Sequence, residues 1–443
     1  MIKNKIIIFL LLTIVSSCSL DKDSGFWNGA TIEKRKKDRA ERDANPNNET
    51  VFSKKKFFSK EIIGNQTVSL GKIIEKEKWH VSGSNPSNFT GNIEFSGLLK
   101  KQTKKKIGKN KFKFFLSNNP PIVYQNSVLS SDNRGTIYSL NDLNQINWKI
   151  NIYKKIDKKK YKSLSYTYFN NVIYVSDNLG YLYALSANTG KLIWLKNYKI
   201  PFRSKIKIFN DKIYLVNNIN KLFCFKISDG SILWEHSTVD TRIKSQSFLA
   251  LSIDKKGKIF FINSAGEITS INSSNGSFFW SFPTLDSIME HKSDFFQTSD
   301  IVIDNETLYF SNMNTNTYSI NSKTGFLNWK QNIESSLTPI ISGKSLFILS
   351  HKGFLVNIDK KTGQLLWSKK IFKDKRNPFS TGIIMGSNKI YATNSEGYIS
   401  VISATSGDIL VQKKIAKSIY SNPIIVNSKL YILTGNSKLL IFE

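Results

Sequence analysis

An all-β fold built from one repeated unit is predicted by three observations. A Gly-x-x-x-Trp pattern recurs along the 443-residue chain: Gly190 with Trp194, Gly230 with Trp234, Gly276 with Trp280, Gly325 with Trp329 and Gly363 with Trp367. Each copy follows short runs rich in β-branched and aromatic residues. Turn-forming residues separate those runs at matching positions. Such a period marks an array of supersecondary units that must be read together, not a string of domains.

The copy at 171–195 shows the unit. Val172 to Ser176 is a strand-like run, and Asp177-Asn178-Leu179-Gly180 has hairpin-turn chemistry. Tyr181 to Leu185 is a second strand, Asn188-Thr189-Gly190 a second turn, and Lys191 to Trp194 a third strand. Gly135, Gly180, Gly266, Gly353 and Gly397 close the first turn in their copies, with Asn220 and Asn316 in two others. Asn is the next-best residue for a left-handed backbone. A fourth strand precedes each unit and often opens on proline, as at Pro339 and Pro423, where the missing N–H removes no ladder bond. Four short antiparallel strands per repeat predict the blades of a β-propeller.

Counting Trp148, Trp194, Trp234, Trp280, Trp329, Trp367 and the degenerate position Val411 gives seven outer strands. Asn144 replaces the glycine of the first copy, and Gly407 precedes Val411. Three more runs follow, at 423–426, 430–433 and 438–442. The stretch 67–79, ending in Trp79, is expected to supply the missing strand. The reading is therefore an eight-bladed propeller over 66–443, with about 47 residues per blade. Its N-terminal strand joins the C-terminal strands and hides the sheet edges that would otherwise template aggregation. Trp79 and the six motif tryptophans are expected to pack blade on blade, each burying ~150–250 Å².

The first 17 residues read as a secretory leader. Lys3 and Lys5 precede an apolar run from Ile6 to Val15, too short for a span of ~20 residues. Val15-Ser16-Ser17-Cys18 resembles the bacterial lipobox, which implies lipid attachment at Cys18 and removal of the leader. Residues 18–65 read as a tether, with a mixed charge run at 33–43 and Asn45-Pro46-Asn47-Asn48 breaking any helix. A flexible tether of that length spans roughly 35–40 Å. By resemblance to lipoproteins of this kind, Ser19 rather than Asp after the cysteine favours the periplasmic face of the outer membrane. Cys224 is then the other cysteine of the chain, within Leu222-Phe223-Cys224-Phe225, and reads as a small core residue.

The formal net charge is +31. Such a value draws anionic partners, but Asn, Ile and Lys are abundant throughout, as a biased base composition would also produce. The segment 98–115 stands apart because it holds eight lysines and no acid. It reads as an insertion in the first blade, and membrane head groups suit it better than nucleic acid, which an exported protein does not meet. The four histidines, His80, His236, His291 and His351, lack metal-ligand spacing. No phosphate loop, haem motif or Ser/His/Asp order stands out, so no catalytic residue, cofactor or metal ligand is assigned.

The unit Ala184-Leu185-Ser186-Ala187-Asn188-Thr189-Gly190-Lys191-Leu192-Ile193-Trp194 resembles the tryptophan-docking repeat of quinoprotein-type propellers, and Lys360 to Trp367 matches it closely. One branch of that superfamily oxidises alcohols or sugars with pyrroloquinoline quinone and Ca²⁺. Many of its alcohol-oxidising members carry adjacent cysteines, which this chain lacks. Over 66–443 the chain is more similar to the other branch, the BamB family of outer-membrane assembly lipoproteins. That resemblance implies a non-catalytic scaffold, monomeric within a hetero-complex, that binds the POTRA domains of the barrel-inserting protein BamA through inter-blade loops. In that family a loop with a Ser-Asp pair makes the contact. Here Ser293-Asp294 within 289–297 matches it, which makes His291, Lys292, Asp294, Phe295 and Phe296 the candidate partner-binding residues. A quinone enzyme and a surface polysaccharide-binding lipoprotein remain the alternatives.

Overall fold

Side chains at the hairpin corners set where each strand ends. Asp177 Oδ1 accepts hydrogen bonds from the N–H groups of Leu179 and Tyr181 at 2.8 and 2.9 Å. Asn217, Asp254, Asn263 and Asn394 do the same in their own units. A carboxylate or amide that bonds its own backbone two and four residues on closes the turn without help from the core. The computed structural model describes residues 58–64, 67–100, 102–108, 119–239, 248–284, 296–313, 315–372 and 378–443.

These turns generate antiparallel four-stranded sheets. The second sheet, for example, pairs Leu164–Phe169, Val172–Asp177, Tyr181–Ser186 and Leu192–Asn197 in sequence order. The first (122–150), third (207–237), fourth (251–283), fifth (302–331) and sixth (340–370) sheets repeat that order. First strands of successive sheets touch one another, so they form the inner wall of a propeller, while the tryptophan-bearing strands lie outermost. The two middle strands of each sheet are almost wholly buried, and Cys224 lies among them with no exposure. Burial pushes its thiol up to about 11, which suits a core residue.

One irregularity repeats with the motif. In every sheet from the first to the six-stranded one, the outer strand slips register beside the Trp position, as between Ala184 and Leu185 where Ala184 faces Trp194. Such a bulge sharpens the local twist and re-aims a side chain. Here it turns each indole toward the next sheet.

The structure corrects the expected ring in two respects. Among the described residues seven sheets have four strands rather than eight. The remaining one has six, because Ile73–Ile74 and Asn92–Ile93 add in parallel to the four strands of 380–414. Second, the strand that meets the C-terminal ones is not in 67–79. Gln102–Lys106 pairs antiparallel with Lys438–Phe442, in register Lys106 with Lys438 and Gln102 with Phe442. The closing sheet is thus 424–442 plus 102–106. The lysines decide this: an outermost edge strand faces solvent, where charged side chains both dissolve it and protect it from further pairing.

Trp79 is 3% exposed and its backbone bridges Val123 on the innermost strand of the first sheet. It therefore lies at the inner wall rather than on an outer strand. Residues 58–64, read from the sequence as the end of the tether, lie against the propeller: Ile62 bridges Ser368, and the Phe58 N–H donates to Glu334. The leader, Cys18 and residues 19–57 lie outside the described residues.

Candidate functional site

Six seams between sheets share one construction. The glycine of each Gly-x-x-x-Trp motif sits at positive φ, and its missing Cβ is where the preceding sheet's indole rests. A Cβ on Gly190 would lie 2.5 Å from the Trp148 ring, and one on Gly363 2.8 Å from Trp329. Gly230, Gly276, Gly325 and Gly407 stand in the same relation to Trp194, Trp234, Trp280 and Trp367. Only glycine supplies both the left-handed backbone and the space. Several indoles also donate across the seam: Trp148 to Ala187 O at 2.9 Å, Trp280 to Ser322 O at 3.2 Å and Trp329 to Lys360 O at 3.0 Å. Tyr124 and Tyr309 donate to the same two carbonyls as Trp148 and Trp329.

The middle of the ring is crossed by residues 69–97, a segment whose role the sequence did not disclose. Working round the ring, Trp79 exchanges backbone hydrogen bonds with Val123, and His80 O accepts from Tyr168 N. Pro86 O and Ser87 O accept from Ile253 N and Ile303 N. Gly71 N donates to Ser342 Oγ, Ser387 N donates to Ile93 O, and Asn427 N donates to Lys76 O. Lys207, wholly buried, donates to Ser82 O at 3.1 Å, Asn85 O at 3.2 Å and Asn88 Oδ1 at 2.5 Å. Burial lowers this ammonium to about 7, since little besides dipoles offsets its lost hydration. The segment thus meets an inner strand, or the turn after it, in every sheet.

Beyond that segment lies a cavity of about 790 Å³. Its wall includes Trp79, Tyr161, Arg203, Lys205, Asp300 and His351. Lys205 and Asp300, just ahead of the third and fifth sheets, form an ion pair of 2.5 Å, and Thr338, just ahead of the sixth, donates to the same carboxylate at 3.0 Å. Burial pushes the Asp300 carboxyl up, but Lys205 and Lys207 outweigh it and hold it below the usual carboxylate range. His351 stacks on Phe379 with centroids 5.4 Å apart, and Phe379 lies 6.2 Å from Tyr420. Burial, then Lys352, lowers the His351 imidazole, so it is neutral at pH 7. Among the described residues no group of three or more His, Cys, Asp or Glu is placed to hold a metal ion.

Of the sequence-derived partner residues, His291, Lys292, Asp294 and Phe295 lie outside the described residues. Phe296 is half-buried and packs against the core shared by the fourth and fifth sheets. Its neighbours Gln297, Thr298 and Ser299 line the cavity. The candidate loop therefore ends on the cavity wall.

Comparison with known proteins follows the repeats. The sequence model of the family described as outer membrane protein assembly factor BamB matches residues 133–369 and 351–443. A curated relative from Shewanella oneidensis, named outer membrane protein assembly factor BamB, is 25% identical over 154 residues, 34% of this chain. That match spans 38% of the relative's own length. Among solved structures, BamB from Moraxella catarrhalis superposes with a TM-score of 0.63 at 14% identity, covering 77% of this chain and 100% of that one. The quinohemoprotein alcohol dehydrogenase from Comamonas testosteroni superposes with a TM-score of 0.64 at 10% identity, covering 82% of this chain and 80% of that one. At these identities both structures speak for the fold alone.

Proposed function

This chain belongs to the family of the outer membrane protein assembly factor BamB, and from that premise we propose that it is a non-catalytic scaffold in the assembly of outer-membrane β-barrels. The observation that carries the reading is the family match across the repeats, 133–443. In this reading the propeller is a rigid frame, with Trp–Gly seams holding the inter-blade loops at fixed separations. Binding partners on pre-ordered loops avoids the entropy of ordering them at each encounter. The loop at 289–297, bearing His291, Lys292, Asp294, Phe295 and Phe296, would take the POTRA region of a BamA-like protein. Cys18 would carry the acyl chains that hold the protein at the periplasmic face of the outer membrane, with 18–57 as the span between anchor and frame.

The fold likeness to quinohemoprotein dehydrogenases raises a quinone enzyme as the second reading. The cavity's donor set does not fit a calcium-held quinone. Among the described residues Asp300 is the acid on its wall, and it is already taken by Lys205 and Thr338. No step is derived through that cofactor.

The deciding experiment is recovery of the full-length protein with its partners from detergent-solubilised membranes. A BamA-like protein in the eluate is the expected outcome. Reproducible recovery of some other protein, with no barrel-inserting partner, would defeat the assignment. For the anchor, cells fed labelled fatty acid should label the wild-type protein, and Cys18→Ser should abolish that label.

A further inference from the structure

The strand Gln102–Lys106 gathers three consecutive lysines on one outer edge of the propeller. Lys106 and Lys438 are cross-strand partners, so their side chains share a face, and Lys104, two residues back, shares it too. Lys100, Lys104 and Lys106 are exposed, and Lys105 is partly so. Like charges directly opposite on a strand pair are destabilising. Lys104, first, and Lys106 hold the Lys438 ammonium below the usual lysine range.

Some lysines elsewhere in the ring meet acids, as Lys221 with Glu235 at 2.7 Å, Lys323 with Glu306 at 2.5 Å, Lys360 with Asp304 at 2.5 Å and Lys369 with Asp408 at 3.2 Å. Among the described residues none of Lys100, Lys104, Lys105, Lys106 and Lys438 has an acidic partner. Leu98, 38% exposed, stands just ahead of Lys100. The arrangement is an edge of cations near an apolar side chain, and no acid among the described residues pairs with these five lysines.

We propose that this edge docks the propeller on an anionic, phosphate-bearing lipid surface, with Leu98 reaching the headgroup layer and Lys100, Lys104, Lys106 and Lys438 meeting phosphates. Several anions arrayed in a plane relieve all the ammonium groups at once, which a single acidic side chain does not. An acyl chain at Cys18 would keep the edge within tether reach of such a surface. Contact with lipid goes beyond the scaffold role and does not require the POTRA contact.

The test is sedimentation of residues 18–443 carrying Cys18→Ser, the form left once the leader is removed, with vesicles of phosphatidylcholine alone or mixed with phosphatidylglycerol, at ~0.1 M salt. The protein should bind the mixed vesicles and not the neutral ones. Each lysine near an anionic surface is worth ~1 kcal/mol, so the triple variant Lys104→Glu, Lys106→Glu, Lys438→Glu should lose at least ~100-fold in partitioning. A control reversing three exposed lysines on other sheets, Lys191→Glu, Lys255→Glu and Lys361→Glu, should lose less than ~5-fold, being largely screened. Near-ultraviolet circular dichroism should show both variants folded. If the edge itself disrupts folding, the neutral set Lys104→Gln, Lys106→Gln, Lys438→Gln replaces it, with a loss of ~30-fold or more expected. Equal losses in edge and control variants, or retained binding in the edge variants, would overturn the proposal. Because the vesicles contain no protein, the result is separate from recovery of a BamA-like partner.

Discussion

The seams from Trp148 to Gly407 and the two seams beside the closing sheet hold the same ring by different means. In the first set an indole fills the place of a missing Cβ on the next sheet, and motif and partner lie within one repeat of each other. Beside the closing sheet the motif is spent. Val411 stands where Trp would, and Asn144, φ 60°, where Gly would. Apolar packing alone serves there: one cluster joins Val401, Leu439, Ile441, Ile107 and Val123, with Val411 packed at its margin, and it continues across the Trp148 seam into the second sheet. Residues 69–97 and 102–106 tie the ends together. A repeat can encode its junction with the next repeat locally, but the junction of first with last needs chain from far away.

The largest test of this contrast is Trp329→Ala. It opens a cavity at a locally encoded seam and leaves Lys360 O without its indole donor, so thermal or denaturant unfolding should show a loss of ~3–5 kcal/mol. Gly363→Ala approaches the same seam from the other side. A methyl group there meets Trp329 and holds alanine at φ 76°, for an expected ~1–3 kcal/mol. If Gly363→Ala were neutral, the indole would not be seated as described.

Lys207 tests the central segment through pH. Its ammonium is lowered from 10.5 to about 7 by burial, so between those values the unfolded chain binds a proton that the folded chain has released. Stability therefore rises with pH across that window. The difference in unfolding free energy between wild type and Lys207→Met should grow in favour of wild type by ~1–2 kcal/mol from pH 7 to pH 9. A pH-independent difference would mean that the amine is not buried against Ser82, Asn85 and Asn88. The smallest effect belongs to the motifless seam: Val411→Ala should cost no more than ~1 kcal/mol. A loss there equal to that of Trp329→Ala would erase the distinction between the two kinds of seam.

Much of this was legible in the residues. Gly190, Gly230, Gly276, Gly325 and Gly363 announce a left-handed turn, and their spacing to Trp announces the array. The closing strand was not legible, because Gln-Thr-Lys-Lys-Lys has neither the alternation nor the β-branched content by which strands are recognised. A signal was present all the same, in the preference of exposed edges for lysine. Trp79 misled for the opposite reason: seven tryptophans follow the leader and tether, six of them on outer strands, and composition alone assigned the seventh to their company. The cavity wall was hidden because Lys205, Asp300 and Thr338 come from the segments leading into three different sheets.

The blade is encoded locally, since hairpin turns, motif tryptophans and docking glycines act over a few residues or between one repeat and the next. How the ring ends meet, what crosses its centre and which lysines line up on one edge were settled by long-range packing. Those outcomes depend on contacts hundreds of residues apart, as between Ile93 and Gly386 or Gln102 and Phe442. Over such separations local propensity is silent, and burial together with backbone hydrogen bonding chooses among the available strands.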